Sequence, residues 1–139
     1  MDERFALNEC LYRGLHPMWI EDDNTVSSAA FKDSGGVSVD RDGGRCQQEC
    51  VDRLLEAIPQ LAGVCKLSVG DVEACDAITV YRPLSDNEYH SEIHDFVGQV
   101  QIKSKSKAKK LSSKSRIVFK KKMGLTLFDF EARKQFVPK

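Results

Sequence analysis

RCQQECVDRLLEAIPQLAG, residues 45 to 63, repeats its apolar side chains at helical intervals: Val51, Leu54, Leu55, Ile58, Leu61 and Ala62 return every three or four positions. That spacing predicts a helix over 45–62 with one buried stripe. Pro59 should kink or end it, and Gly63 is a natural terminator. A one-sided helix needs an apolar surface to lie on, and the flanking sequence supplies strands.

On the C-terminal side, VCKLSV (64–69) and AITVYR (77–82) are rich in β-branched residues and read as strands. GDVEACD between them fits a single helical turn capped by Asp71. On the N-terminal side, Val37 and Val39 alternate with Ser38 and Asp40 at the two-residue period of a half-buried strand. VSSAAF (26–31) reads as its hairpin partner, with Gly35-Gly36 at the turn and Gly43-Gly44 as the hinge into the helix. ALNECLYRGLHPMWI (6–20) reads as a short helix or strand entering a turn at His16-Pro17, anchored by Leu11, Leu15, Met18, Trp19 and Ile20. YHSEIHDFVGQVQI (89–102) reads as a strand continuing past Gly98. KSKSKAKKLSSKSR (103–116) has one large apolar residue and reads as an exposed loop. RIVFKKKMGLTLFDFEARKQFV (116–137) reads as a closing strand pair turning near Met123-Gly124. The expectation is therefore a single α+β domain over 1–139, a mostly antiparallel sheet with one main helix packed on it and a basic loop at about 103–116.

The composition, 41% hydrophobic and 30% charged, is that of a globular chain, and no apolar run has the length needed to span a membrane. MDERFALNEC carries acids where a secretory signal would carry bases, which reads as cytoplasmic. The five cysteines include no CxxC pair, so they read as reduced thiols; Cys46 and Cys50 would share a helix face. The formal charge is zero, yet residues 1–99 hold 8 Lys/Arg against 19 Asp/Glu and residues 100–139 hold 13 against 2. Either the basic end folds back on the acidic body or it presents charge to an anionic partner.

Several polar residues stand where chemistry is plausible. Arg13 and His16 flank Gly14-Leu15 before a proline turn, where both can face one cleft while the glycine lets a ligand approach; arginine is suited to bidentate capture of phosphate. Ser27, Ser28 and Ser38 offer hydroxyls to the same cleft, and Asp40 lies beside Arg41 as a local ion pair. His90, Glu92 and His94, two apart, share a strand face. These are ingredients of a metal triad, but HExxH is absent; the reading adopted assigns no metal and takes His90 as a general acid or base at a strand mouth. No GxGxxG or P-loop spacing names a cofactor.

LYRG (11–14), the serines of VSSAAF and DFE (129–131) together resemble the arginine-type ADP-ribosyltransferases. The resemblance implies Arg13 on NAD phosphates, Ser27 or Ser28 supporting a nicotinamide pocket, and Glu131 as the catalytic glutamate. The chain departs from that family in lacking an STS serine motif, in having DxE where ExE is usual, and in length.

The leading functional expectation is a cleft for a phosphate-bearing nucleotide, formed by Arg13, His16, Ser27, Ser28, Asp40 and His90, with the choice between catalysis and binding open. The alternative is a non-catalytic interaction module whose basic segment, Lys103–Lys122, meets a protein or nucleic acid through phosphate-type contacts.

Overall fold

A computed structural model describes residues 1–121. It contains six strands: β1 (Cys10–Leu15), β2 (Val37–Arg41), β3 (Gly63–Ser68), β4 (Ile78–Tyr81), β5 (His90–His94) and β6 (Arg116–Lys120). They form one sheet in the order β4-β5-β2-β1-β3-β6, antiparallel at every junction. Three helices pack on it: α1 (Gln47–Ala57), α2 (Val69–Ala74) and α3 (Lys105–Lys114). The α+β class and the antiparallel sheet agree with the sequence reading. The helices, however, cover both faces.

Strand alternation creates the two faces. Val37 and Val39 of β2, with Leu11 and Leu15 of β1 and Ile93 of β5, enter a core that also takes Val69 and Val72 of α2 and Ala108 and Leu111 of α3. Tyr12 and Val64 point the other way and meet Cys50, Val51 and Leu54 of α1, with Leu61 from the loop after it. Central β1 is thus covered on both sides, and its burial is nearly continuous. Helix α1 stops at Ala57 rather than 62 because Ile58, next to Pro59, is pushed out of helical geometry (φ −134°, ψ 82°).

Four segments differ from the sequence reading. Residues 26–31 are not a strand: Ser27 caps a 3-10 turn, Ser28–Phe31, its hydroxyl accepting from the Ala29 N–H at 3.2 Å. The hairpin with β2 therefore does not form, and β2 pairs with β1 and β5 instead. Residues 103–116 are not a loop. Ser104 caps α3, and one narrow stripe, Ala108 and Leu111 with Ser112, is enough to seat it, while lysine and alanine are good helix formers. Residues 89–102 do not continue as a strand; β5 ends at His94, and a tight turn bridged between Phe96 and Gln99 follows, with Gly98 at φ 91°. The cap of α2 is Ser68, not Asp71, which answers it from the third helical position in a capping box. Met18 anchors nothing, being 89% exposed. Strand β6 matches the first half of the expected closing pair; the second half and the Met123-Gly124 turn lie outside the described residues.

The N-terminal segment is fastened by Arg41, buried at the end of β2. Its guanidinium grips Glu9 bidentately, Nε on Oε2 and Nη2 on Oε1, each at 2.8 Å, donates to the carbonyls of Asp2 and Arg4, and lies 4.0 Å from the Phe5 ring. Burial alone would raise the Glu9 carboxyl, but the bonds from Arg41 and the Gly43 N–H outweigh it and hold it below the ordinary carboxylate range. A folded value below the unfolded one means that this stability is present above the ordinary carboxylate range and is lost as pH falls through the folded value. Glu9→Gln should lower neutral-pH stability by roughly 1.5–3 kcal/mol and flatten the acid limb of the stability curve, measured by urea unfolding between pH 7 and pH 3.

Candidate functional site

Helix α1 covers β1 and β3 but leaves the β2–β5 part of its face open. The side chains there are those that alternate away from the large core: Ser38 and Asp40 of β2 and His90 and Glu92 of β5. Between this floor, the Arg53–Ile58 side of α1 and the 84–87 loop lies a cavity of about 380 Å³. Arg13, His16 and Trp19 line it from β1 and the turn that follows, and Leu54, Ala57, Ile58, Leu61 and Leu84 supply its apolar wall. A volume of that order accommodates a small organic ligand. Arg53 Nη2 reaches across to the Asp86 carbonyl at 2.7 Å and ties α1 to the loop.

Arg13, His16, Asp40 and His90, drawn from three separate segments of the chain, line this one cavity, and Ser38 joins them. Ser27 and Ser28 do not. They line a separate groove of about 970 Å³ between the 21–28 loop and the α3–β6 edge. Glu131 lies outside the described residues.

The arginine is committed to the protein. Pairing of β1 with β2 stops after Leu11–Arg41 and Tyr12–Asp40, and beyond it the buried Arg13 guanidinium joins the two strands. Nη1 donates to the Ser38 carbonyl at 2.8 Å, Nε to the Ala30 carbonyl at 2.7 Å and Nη2 to Asp33 Oδ2 at 3.1 Å, with Trp19 4.8 Å from its carbon. Burial lowers its pKa and the Asp33 charge opposes that shift. A guanidinium so neutralised is a poor phosphate anchor. The serine turn acts on it only indirectly, by presenting Ala30. Nor does Gly14 admit a ligand: a side chain there would fall 2.5 Å from Leu61, whose methyl groups already fill the space. His16 is exposed and packs edge-on against Trp19, their ring centres 4.6 Å apart.

Asp40 and Arg41 do not pair, because successive strand residues face opposite ways. Asp40 is 3% exposed. Its Oδ1 accepts from Asn87 Nδ2 at 2.8 Å, while Oδ2 is one of two buried side-chain oxygens with no protein partner among the described residues, Thr79 Oγ1 being the other. His90 lies opposite Asp40 in the ladder. Its Nδ1 lies 2.8 Å from the Arg82 carbonyl, an acceptor only, which places the ring proton on Nδ1 and leaves Nε2 to accept from Ser38 Oγ at 3.2 Å. Glu92 turns instead to His94, at 2.8 Å.

The sheet thus shares the strand's polar residues between two pairs. Among the described residues, no three His, Cys, Asp or Glu side chains are grouped to hold a metal. Cys46 is exposed at the N-cap of α1, and Cys50, one turn on, is buried, which pushes its thiol up to about 11. The site residues to which the sequence reading gave no place in the cleft are Asp33, Arg53 and Asn87, with Trp19, which it took only as an apolar anchor. Only Asn87 carried a local signal, as a turn-forming residue in the polar LSDNE stretch.

Comparison with protein-family models, with curated proteins and with solved structures finds no match. The geometry is therefore the basis for any assignment. The Arg13 assignment is checked by stability: Arg13→Lys, which cannot reach acceptors on three segments, should lose at least roughly 1.5–3 kcal/mol in urea unfolding, whereas a free phosphate anchor would tolerate the change.

Proposed function

We propose that the chain is a small-molecule-binding protein whose ligand enters this cavity and donates an N–H or O–H to Asp40. The observation that carries the reading is Asp40, which lines the cavity and whose second carboxylate oxygen is buried with no hydrogen-bond partner among the described residues. Buried polar atoms are nearly always hydrogen-bonded, and an ionised oxygen is the costliest exception. The mixture of an apolar wall with a few convergent polar groups is that of a ligand pocket.

The same geometry narrows the nucleotide expectation. Asp33, Asp40 and Asp86 border the cavity against Arg53 and an Arg13 already paired with Asp33, so the acidic side chains outnumber the basic ones and a phosphate is disfavoured inside. A nucleoside's sugar hydroxyls or base amino group, with its ring faces against Leu54, Leu61 and Trp19, suits the interior better. Titration calorimetry with the common ribonucleosides and their 5′-monophosphates tests this. At least one nucleoside should bind, its monophosphate no more tightly, and Asp40→Asn should weaken binding by about tenfold or more, the worth of one charge-assisted hydrogen bond. Absence of binding by all of them, or equal affinity in Asp40→Asn, would overturn the reading.

A second reading, contact with a polyanion through the basic segment, is favoured by the order of that segment. Helix α3 holds Lys105, Lys109, Lys110 and Lys114 exposed on a fixed scaffold, followed by exposed Arg116, while Lys107 is tied down by Asp95. No helix among the described residues is long and apolar enough to cross a membrane. Single-stranded RNA binding, measured by fluorescence anisotropy, should weaken steeply between 50 and 200 mM salt and be lost when Lys109, Lys110 and Lys114 are changed to Glu.

A further inference from the structure

The Ser38–His90 contact has the organisation of an activated nucleophile. We infer that Ser38 is a nucleophile for acyl transfer, with His90 as its general base. The inference rests on the cavity being a ligand site, since the acyl donor has to be held there.

Three features support it. First, the proton assignment is the productive one. The Arg82 carbonyl can only accept, so His90 Nδ1 carries the proton and Nε2 presents its lone pair to the Ser38 hydroxyl. The base is thus oriented by a third group, the arrangement that turns a serine into a nucleophile. Second, Ser38 is exposed at the cavity while the groups around it are fixed. Ser38 and His90 lie diagonally across the β2–β5 ladder, Ser38 opposite Glu92 and His90 opposite Asp40, so sheet register and not a mobile loop sets their separation. Third, the backbone that carries the nucleophile is held in place: Arg13 Nη1 donates to the carbonyl of Ser38 itself at 2.8 Å.

In the step proposed, Ser38 Oγ attacks the carbonyl carbon of an ester while its proton passes to His90 Nε2. The carbon–oxygen bond to the alcohol breaks and the alcohol leaves with that proton. Water then attacks the acyl-serine, His90 again takes the proton, and Ser38 Oγ departs with it, so that ester and water give acid and alcohol. The substrate class is an ester of a polar small molecule whose remaining N–H or O–H engages Asp40.

The experiment uses the full chain with p-nitrophenyl acetate and with a fluorophosphonate, each adduct mapped by peptide mass so that acylation of the exposed Cys46 thiol is counted separately. The wild type should carry an adduct on Ser38 and release p-nitrophenolate in a burst. Ser38→Ala should show no burst attributable to that peptide. His90→Ala should slow modification of Ser38 at least 100-fold, and added imidazole should restore part of the rate, which a merely structural histidine would not allow. No adduct on Ser38 in the wild type, or modification at an unchanged rate in His90→Ala, would overturn the inference. Nucleoside binding that persists without a Ser38 adduct overturns this inference alone; loss of both results overturns the cavity reading as well.

Discussion

The Arg13 guanidinium is the constraint on which the site depends. Strands β1 and β2 are neighbours in the middle of the sheet, yet their ladder is only two residue pairs long. Beyond it a gap between two central strands would leave backbone carbonyls without donors, and Arg13 supplies them on two segments at once while Asp33 balances its charge. The consequence is geometric. The parting of the strands makes room at the end of the cavity for Trp19 and His16, and the bond to Ser38's carbonyl sets the position of the residue whose hydroxyl faces His90. Functional geometry here depends on a broken ladder repaired by one side chain.

The elements that were legible in the sequence are those whose local pattern is also their tertiary reason. Val37 and Val39 alternate because one face of β2 is core, and the stripe on 45–62 exists because α1 lies on Tyr12 and Val64. The elements that were missed owe their form to something outside that pattern. The apolar residues of 26–31 suit a strand or a turn equally, and the Ser27 cap with the burial of Ala30 and Phe31 decides for the turn. Helix α3 looked like solvated lysine because its buried stripe is two residues wide, and what holds it is the surface formed by that same 26–31 turn. One misreading therefore concealed the other.

The site was half legible for a related reason. Strand alternation put Ser38 with Asp40, and His90 with Glu92, on one face, so same-strand neighbours could be read directly. Which strands lie beside each other could not. The pairing of β2 with β5 joins positions about fifty apart, and it alone brings His90 to Ser38 and Asp40. Arg13 and His16 were found as residue types and both line the cavity, but a buried arginine in a small domain has backbone acceptors to satisfy before it meets a ligand, which its residue type does not announce. Ser27 and Ser28 carry side chains suited to a ligand, yet the turn they begin faces the other groove.

Asp40 shows how stability and binding are opposed within the same atom. Asn87 satisfies one carboxylate oxygen, and by doing so fixes the 84–87 loop that walls the cavity. The other oxygen has been withdrawn from water without a protein partner, a penalty the fold carries in every molecule. A ligand that donates to it would remove the penalty, so its contribution to affinity contains the relief of a cost already present in the free protein. Such a ligand binds only the folded chain, and the stabilisation it confers grows with its concentration. Packing among the described residues supplies a donor to Oδ1 and none to Oδ2, so under the proposed reading a ligand that brings the missing hydrogen gains more at Asp40 than one that does not.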